Sequence, residues 1–116
     1  MAITISLQPN NVDSSASNFV YAVATLTFSG NYVSGGDTLD FTQVASVLPS
    51  DTIVQVFGES QNGNGLNFYI PVAGTALSNW KLKCFVPAGT EVGAGAYPGT
   101  VTGDVVQLSI TARKLL

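Results

Sequence analysis

Seven carboxylates, one thiol and one indole are the side chains with the most chemical reach in this chain, which contains no histidine. Asp37 and Asp40 sit in the distinctive stretch Gly30-Asn31-Tyr32-Val33-Ser34-Gly35-Gly36-Asp37-Thr38-Leu39-Asp40-Phe41. They could offer oxygens to calcium, because hard cations take carboxylates and loop carbonyls. Two carboxylates fall short of a calcium loop's ligand count, however. The same residues suit a Gly-Gly turn in which Asp37 bonds its own backbone, followed by a short strand through Leu39 and Phe41. Glycoside hydrolysis would need a pair of carboxyls, one of raised pKa in a partly apolar groove. Asp13, Asp37, Asp40, Asp51, Glu59, Glu91 and Asp104 nearly all fall in expected turns, where solvated acids are the ordinary outcome. Cys84 alternates with Trp80 and Leu82 on one apolar face, so it reads as an inert core thiol. Trp80 could form a sugar-stacking platform with Tyr69 or Tyr97, but its in-phase neighbours place it in the core. The glycine-rich residues 87–99 resemble a phosphate cradle only in composition. A P-loop needs Gly-Lys-Ser/Thr opening a helix, and no lysine occurs there.

Composition narrows the classes further. The 116 residues suit one domain, 1–116. Charged side chains make up 9% of the chain, where an ordinary soluble domain has about 25%. A folded monomer of this size exposes roughly 6,000 Å², or about one charge per 550 Å², sparse for a free monomer. Ser, Thr, Asn and Gln, 35 in all, fill part of the gap. Other subunits are expected to cover part of the rest. Lacking histidine, the chain has no triad built on that residue, and its single cysteine allows no internal disulfide and no cysteine-rich metal site. No metal or other cofactor is expected. Net charge −3, with four scattered cations, argues against a nucleic-acid partner. No apolar run approaches a membrane helix, so no membrane partner is expected either. The start, Met1 to Leu7, lacks the basic end and continuous apolar segment of a secretory signal. The chain therefore reads as made in a reducing cytoplasm.

The hydrophobic period is two. Ile3, Ile5 and Leu7 alternate with polar residues, and residues 19–28 form a long β-branched and aromatic run. The even positions of that run are all apolar. Its odd ones change from Phe19, Tyr21 and Val23 to Thr25 and Thr27, a strand covered on both faces at first and on one face later. Residues 53–57 and 66–72 read as strands joined by a hairpin over 59–65, whose two Asn-Gly pairs supply positive φ. Further strands are expected from Trp80 to Val86 and from Val106 to Arg113. Residues 42–48 could make two helical turns, with Asp40 or Thr42 as cap and Pro49 as stop. Residues 10–17 and 93–103 read as long loops. The expected fold is all-β, a single antiparallel β-sandwich or jelly-roll-like barrel with at most one short helix.

Thr27-Phe28-Ser29-Gly30, Gly35-Gly36-Asp37-Thr38-Leu39-Asp40, Trp80-Lys81-Leu82-Lys83 and Val86-Pro87-Ala88-Gly89-Thr90-Glu91 together resemble segments of small tailed-bacteriophage structural proteins. The resemblance spans about half the chain in short motifs. It implies a virion component on the capsid exterior, a decoration or cement protein that bridges capsid subunits, with the major capsid protein and further copies of itself, as a homotrimer, for partners. A tail or head–tail connector component is the alternative within the virion. A carbohydrate-binding module using Trp80, Tyr69 and Tyr97 is the alternative of another class. An enzyme is not expected, since no base, metal cage or nucleophile pair is evident. The expected contact loops carry Gly35, Gly36 and Asp37 on one side and Gly93, Gly95, Tyr97, Pro98 and Gly99 on the other.

Overall fold

A computed structural model describes residues 3–60, 67–86 and 89–115. The period-two runs become strands: β1 (Ile3–Ser6), β2 (Val12–Asp13), β3 (Phe19–Phe28), β4 (Asn31–Tyr32), β5 (Asp37–Leu39), β6 (Thr52–Ser60), β7 (Phe68–Val72), β8 (Trp80–Phe85), β9 (Gly95–Ala96) and β10 (Val106–Arg113). Two 3-10 turns (Pro9–Asn11 and Phe41–Val44) and one four-residue helix, α1 (Gly99–Thr102), complete the described elements. The fold is all-β, and every ladder is antiparallel.

The larger sheet runs β1-β3-β10-β6, with β2 also paired to β3. The second sheet runs β5-β8-β7, and β4 pairs with β9. β10 is the spine, paired along its length with β3 on one side and β6 on the other. Strand alternation then sorts the side chains. Val20, Ala22, Ala24, Leu26 and Phe28 of β3, with Val106, Leu108 and Ile110 of β10, turn inward. There they join Trp80, Leu82 and Cys84 of β8 in a single core. β6 lies beside β7 and β5 beside β1, so the two sheets approach each other along both edges around that core.

Three expectations need correcting. Residues 42–48 do not form the expected two-turn helix, although Asp40 is the cap of a shorter one. A 3-10 turn (Phe41–Val44) stands there, with Asp40 Oδ1 accepting from the Thr42 N–H at 2.9 Å and from the Thr42 hydroxyl at 2.6 Å. Thr42, Val44 and Val47 are β-branched and resist a helix, while buried Phe41, Val44 and Leu48 fix the segment by their anchors. Tyr21 and Val23 are not covered on the outer face of β3; they are 46% and 43% exposed. Neither residues 10–17 nor residues 93–103 are plain long loops: the first contain part of a 3-10 turn and β2, the second β9 and α1. The expected Asn-Gly turn lies mostly in residues 61–66, outside the described residues.

Candidate functional site

The two glycine-rich segments expected to touch partners instead touch each other. Asn31 pairs with Ala96 and Tyr32 with Gly95, and the Tyr97 N–H donates to the Gly30 carbonyl at 3.2 Å. Side chains then lock the junction. The Tyr97 hydroxyl donates to Asp37 Oδ2 at 2.6 Å, and Asp37 Oδ1 accepts from the Thr38 N–H at 2.9 Å. The Tyr32 hydroxyl donates to Glu91 Oε2 at 2.6 Å and accepts from the Cys84 N–H at 3.3 Å. The same Glu91 oxygen takes the Gly35 N–H at 2.7 Å. A third pair has the same form: the Tyr69 hydroxyl donates to Asp104 Oδ2 at 2.7 Å, beside a Ser60 hydroxyl on Oδ1 at 2.7 Å. Their rings make one cluster around Phe28, which stacks on Tyr69 at 5.5 Å and meets Tyr97 at 5.4 Å, with Tyr32 edge-on to Tyr97.

The electrostatics follow from this packing. Burial first, and the paired carboxylate second, push all three tyrosine hydroxyls up, so they remain protonated donors. The Tyr32 hydroxyl first, and the Gly35 N–H second, hold the Glu91 carboxyl below its ordinary range. Burial, aided by the charges of Asp37 and Glu91, pushes the Cys84 thiol up to about 12. Such a thiol is a poor nucleophile near neutral pH. Asp37 and Asp40 do not share an ion site: the first is held by Tyr97 and Thr38, the second caps the 3-10 turn. Among the described residues no group of three or more Cys, Asp or Glu side chains is placed to hold a metal.

Of the expected contact residues, Gly35, Gly93 and Gly99 are exposed, and Gly95 and Pro98 half-buried. Gly36, Asp37 and Tyr97 are buried, which corrects their expected role. They clamp the junction from inside, because a tyrosine and an acid removed from water must satisfy each other. Gly36 has φ +121°, and a Cβ there would stand 3.1 Å from the Lys81 Cβ, so glycine is required. The sugar platform is corrected as well. Trp80, Tyr69 and Tyr97 are all buried, with Trp80 edge-on to Phe41 at 5.8 Å.

The accessible surface offers something that sequence reading passed over. Val54 and Phe57 of β6, with Phe68, Ile70 and Val72 of β7, face outward; Phe57, Phe68 and Ile70 are each more than half exposed. The ladder of β6 on β10 shifts register between Thr111 and Ala112, and this lets the consecutive Val54 and Gln55 both point out. Along the other side of β7, Ile70 pairs with Lys83 and Val72 with Lys81. Phe57, between the exposed Val54 and the charged Glu59, was the available signal, since an inward strand face would not end in an acid. The tyrosine–acid pairs left no local signal, their partners lying 35, 59 and 60 residues apart. Compared with known proteins, the chain matches no family, no characterised protein and no solved structure.

Proposed function

We propose that this chain is a bacteriophage virion structural protein, a decoration or cement protein that binds the exterior of the assembled head and stabilises it by bridging capsid subunits. The observation that carries this reading is the exposure of Val54 and Phe57 on β6 and of Phe68, Ile70 and Val72 on the neighbouring β7, on a chain with only 9% charged residues. Large apolar side chains left outside on neighbouring strands favour a protein contact. Four of the seven carboxylates, Asp37, Glu91, Asp104 and Asp40, hold tyrosine hydroxyls or cap the 3-10 turn, which supports a role without catalysis. The resemblance of the short motifs to segments of small tailed-phage structural proteins points the same way. A subunit that binds only the assembled shell raises particle stability by mass action, and attachment as a homotrimer multiplies weak contacts.

The test is attachment to heads that lack the protein. The wild-type chain should cosediment with them and raise their melting temperature. The doubly charged variant Phe57→Glu/Ile70→Glu, whose substitutions lie on the outward face, should keep its circular dichroism and lose attachment. Failure of the wild-type chain to cosediment overturns the reading.

A further inference from the structure

We propose that the outer face of the larger sheet carries a groove for a neutral sugar ring, seated on Tyr21. The groove, about 410 Å³, is lined by Asn10, Asn11, Asp13, Tyr21, Val23 and Thr111 among others, all of them described residues. That volume lies within the roughly 300–1,000 Å³ of small-molecule sites. Strand register builds its floor. Asp13 stands opposite Tyr21, and Tyr21 opposite Thr111, so the three side chains form one row across β2, β3 and β10 on the face turned from the core. Val23 and Ser109 make the next row along the same face. The 3-10 turn at Pro9–Asn11 interrupts the sheet edge between β1 and β2, and its exposed Asn10 and Asn11 complete the lining.

The chemistry of the lining selects the ligand. Tyr21 is 46% exposed and offers its ring to the C–H face of a pyranose. Around it stand the amides of Asn10 and Asn11 and the hydroxyls of Ser109 and Thr111, which both donate and accept, as sugar hydroxyls do. Asp13 Oδ1 takes the Ser15 N–H at 2.9 Å and the Ser15 hydroxyl at 2.6 Å. Those bonds fix the carboxylate and leave Oδ2 to accept from a sugar hydroxyl. Other ligands fit less well. A peptide strand finds no backbone edge on the floor, because β3 is paired there with β2 on one side and β10 on the other. A phosphate or an acidic glycan meets cations already engaged. Lys114 donates to the Ser14 and Ala16 carbonyls at 2.6 and 3.1 Å, and Arg113 lies over the Phe19 ring at 5.7 Å. The groove goes beyond the virion reading and does not rest on it, since β10 separates Tyr21 on β3 from the exposed apolar side chains of β6.

The experiment uses the chain alone, so its failure is distinct from failure to bind heads. Cellotetraose, maltotetraose and chitotetraose, with glucose and N-acetylglucosamine as free-sugar arms, are titrated while the Tyr21 ring and Thr111 methyl resonances are followed. At least one of these sugars should shift both signals, with a Kd of about 1 mM. Tyr21→Ala should weaken that binding about tenfold with unchanged circular dichroism. Tyr21→Phe should preserve it, because the ring and not the hydroxyl is the platform. Asp13→Asn, whose amide oxygen can keep the Ser15 contacts, should weaken it several-fold. Tighter binding of a tetrasaccharide identifies a glycan chain as the source and equal binding a free sugar; either supports the site. Shifts from none of these sugars, or binding undiminished in Tyr21→Ala, overturns the proposal. Tighter binding of tetragalacturonate also overturns it, because the face would then serve anions through its cations.

Discussion

At the scale of single residues, the molecule is organised by acids that answer to tyrosines. Asp37 is buried, and its oxygens accept from the Tyr97 hydroxyl and the Thr38 N–H in place of water. Tyr97→Phe should therefore cost about 1–3 kcal/mol, the usual penalty for stranding a buried polar group, read as a fall in the urea midpoint at unchanged slope. Tyr32→Phe should cost a similar amount: water can replace the donor lost by half-buried Glu91, but the buried Cys84 N–H loses the hydroxyl that accepts from it. Unchanged stability of either variant would contradict this account of the junction. Glu91 also sets an acid response. Its folded pKa lies below the ordinary 4.5, so it adds stability above that value and loses it as pH falls through the folded value. Glu91→Gln should remove that part of the acid destabilisation, seen as a flatter dependence of the urea midpoint on pH below about 4.5. Cys84, buried and pushed up to about 12, should react with a disulfide reagent only at the rate of unfolding. Rapid labelling of the native protein would show that the core is open.

At the scale of elements, legibility depended on whether a segment's structure comes from itself. β3 and β10 declared themselves because their apolar residues keep strict alternation over ten and eight residues, and each buries one face. Residues 42–48 misled because a few β-branched residues between an Asp cap and a proline read as a helix, while their geometry is dictated by buried Phe41 and Leu48. β9 and α1 were hidden in glycine-rich chain, since their order comes from pairing with β4 and from the Asp37 carboxylate that holds Tyr97, both contributed from more than fifty residues away. Of the candidate site, the residue pattern marked the two segments that meet but assigned them to contacts with partner chains. It gave no hint of the clamp between them. Glycine at the junction can be tested directly. Gly36→Ala should destabilise by more than about 1 kcal/mol, because φ +121° and the Lys81 contact both oppose a side chain. Gly93, without positive φ and with open space for a Cβ, should tolerate alanine or gain up to about 1 kcal/mol. Chemical denaturation of the two variants side by side decides the matter, and equal losses would mean the backbone at 36 is not constrained.

At the scale of the whole molecule, a closed aromatic interior is joined to an exterior that leaves large apolar side chains exposed. The core takes six of the eleven aromatic rings, and the exposed apolar side chains include Val54 and Phe57 of β6 and Phe68, Ile70 and Val72 of β7, with Lys81 and Lys83 beside β7. Such a surface asks for protein. Light scattering after size exclusion should find a trimer of 12.0 kDa chains, since closed cyclic assemblies cover apolar surface. A large ring would instead favour a connector. The most direct measurement is the copy number of this chain in purified virions, by quantitative mass spectrometry against the major capsid protein. A decoration protein should be present in amounts comparable with the capsid subunits themselves and be stripped by mild treatment before the shell opens. Absence from the particle, or only the few copies of a single ring, would contradict the account.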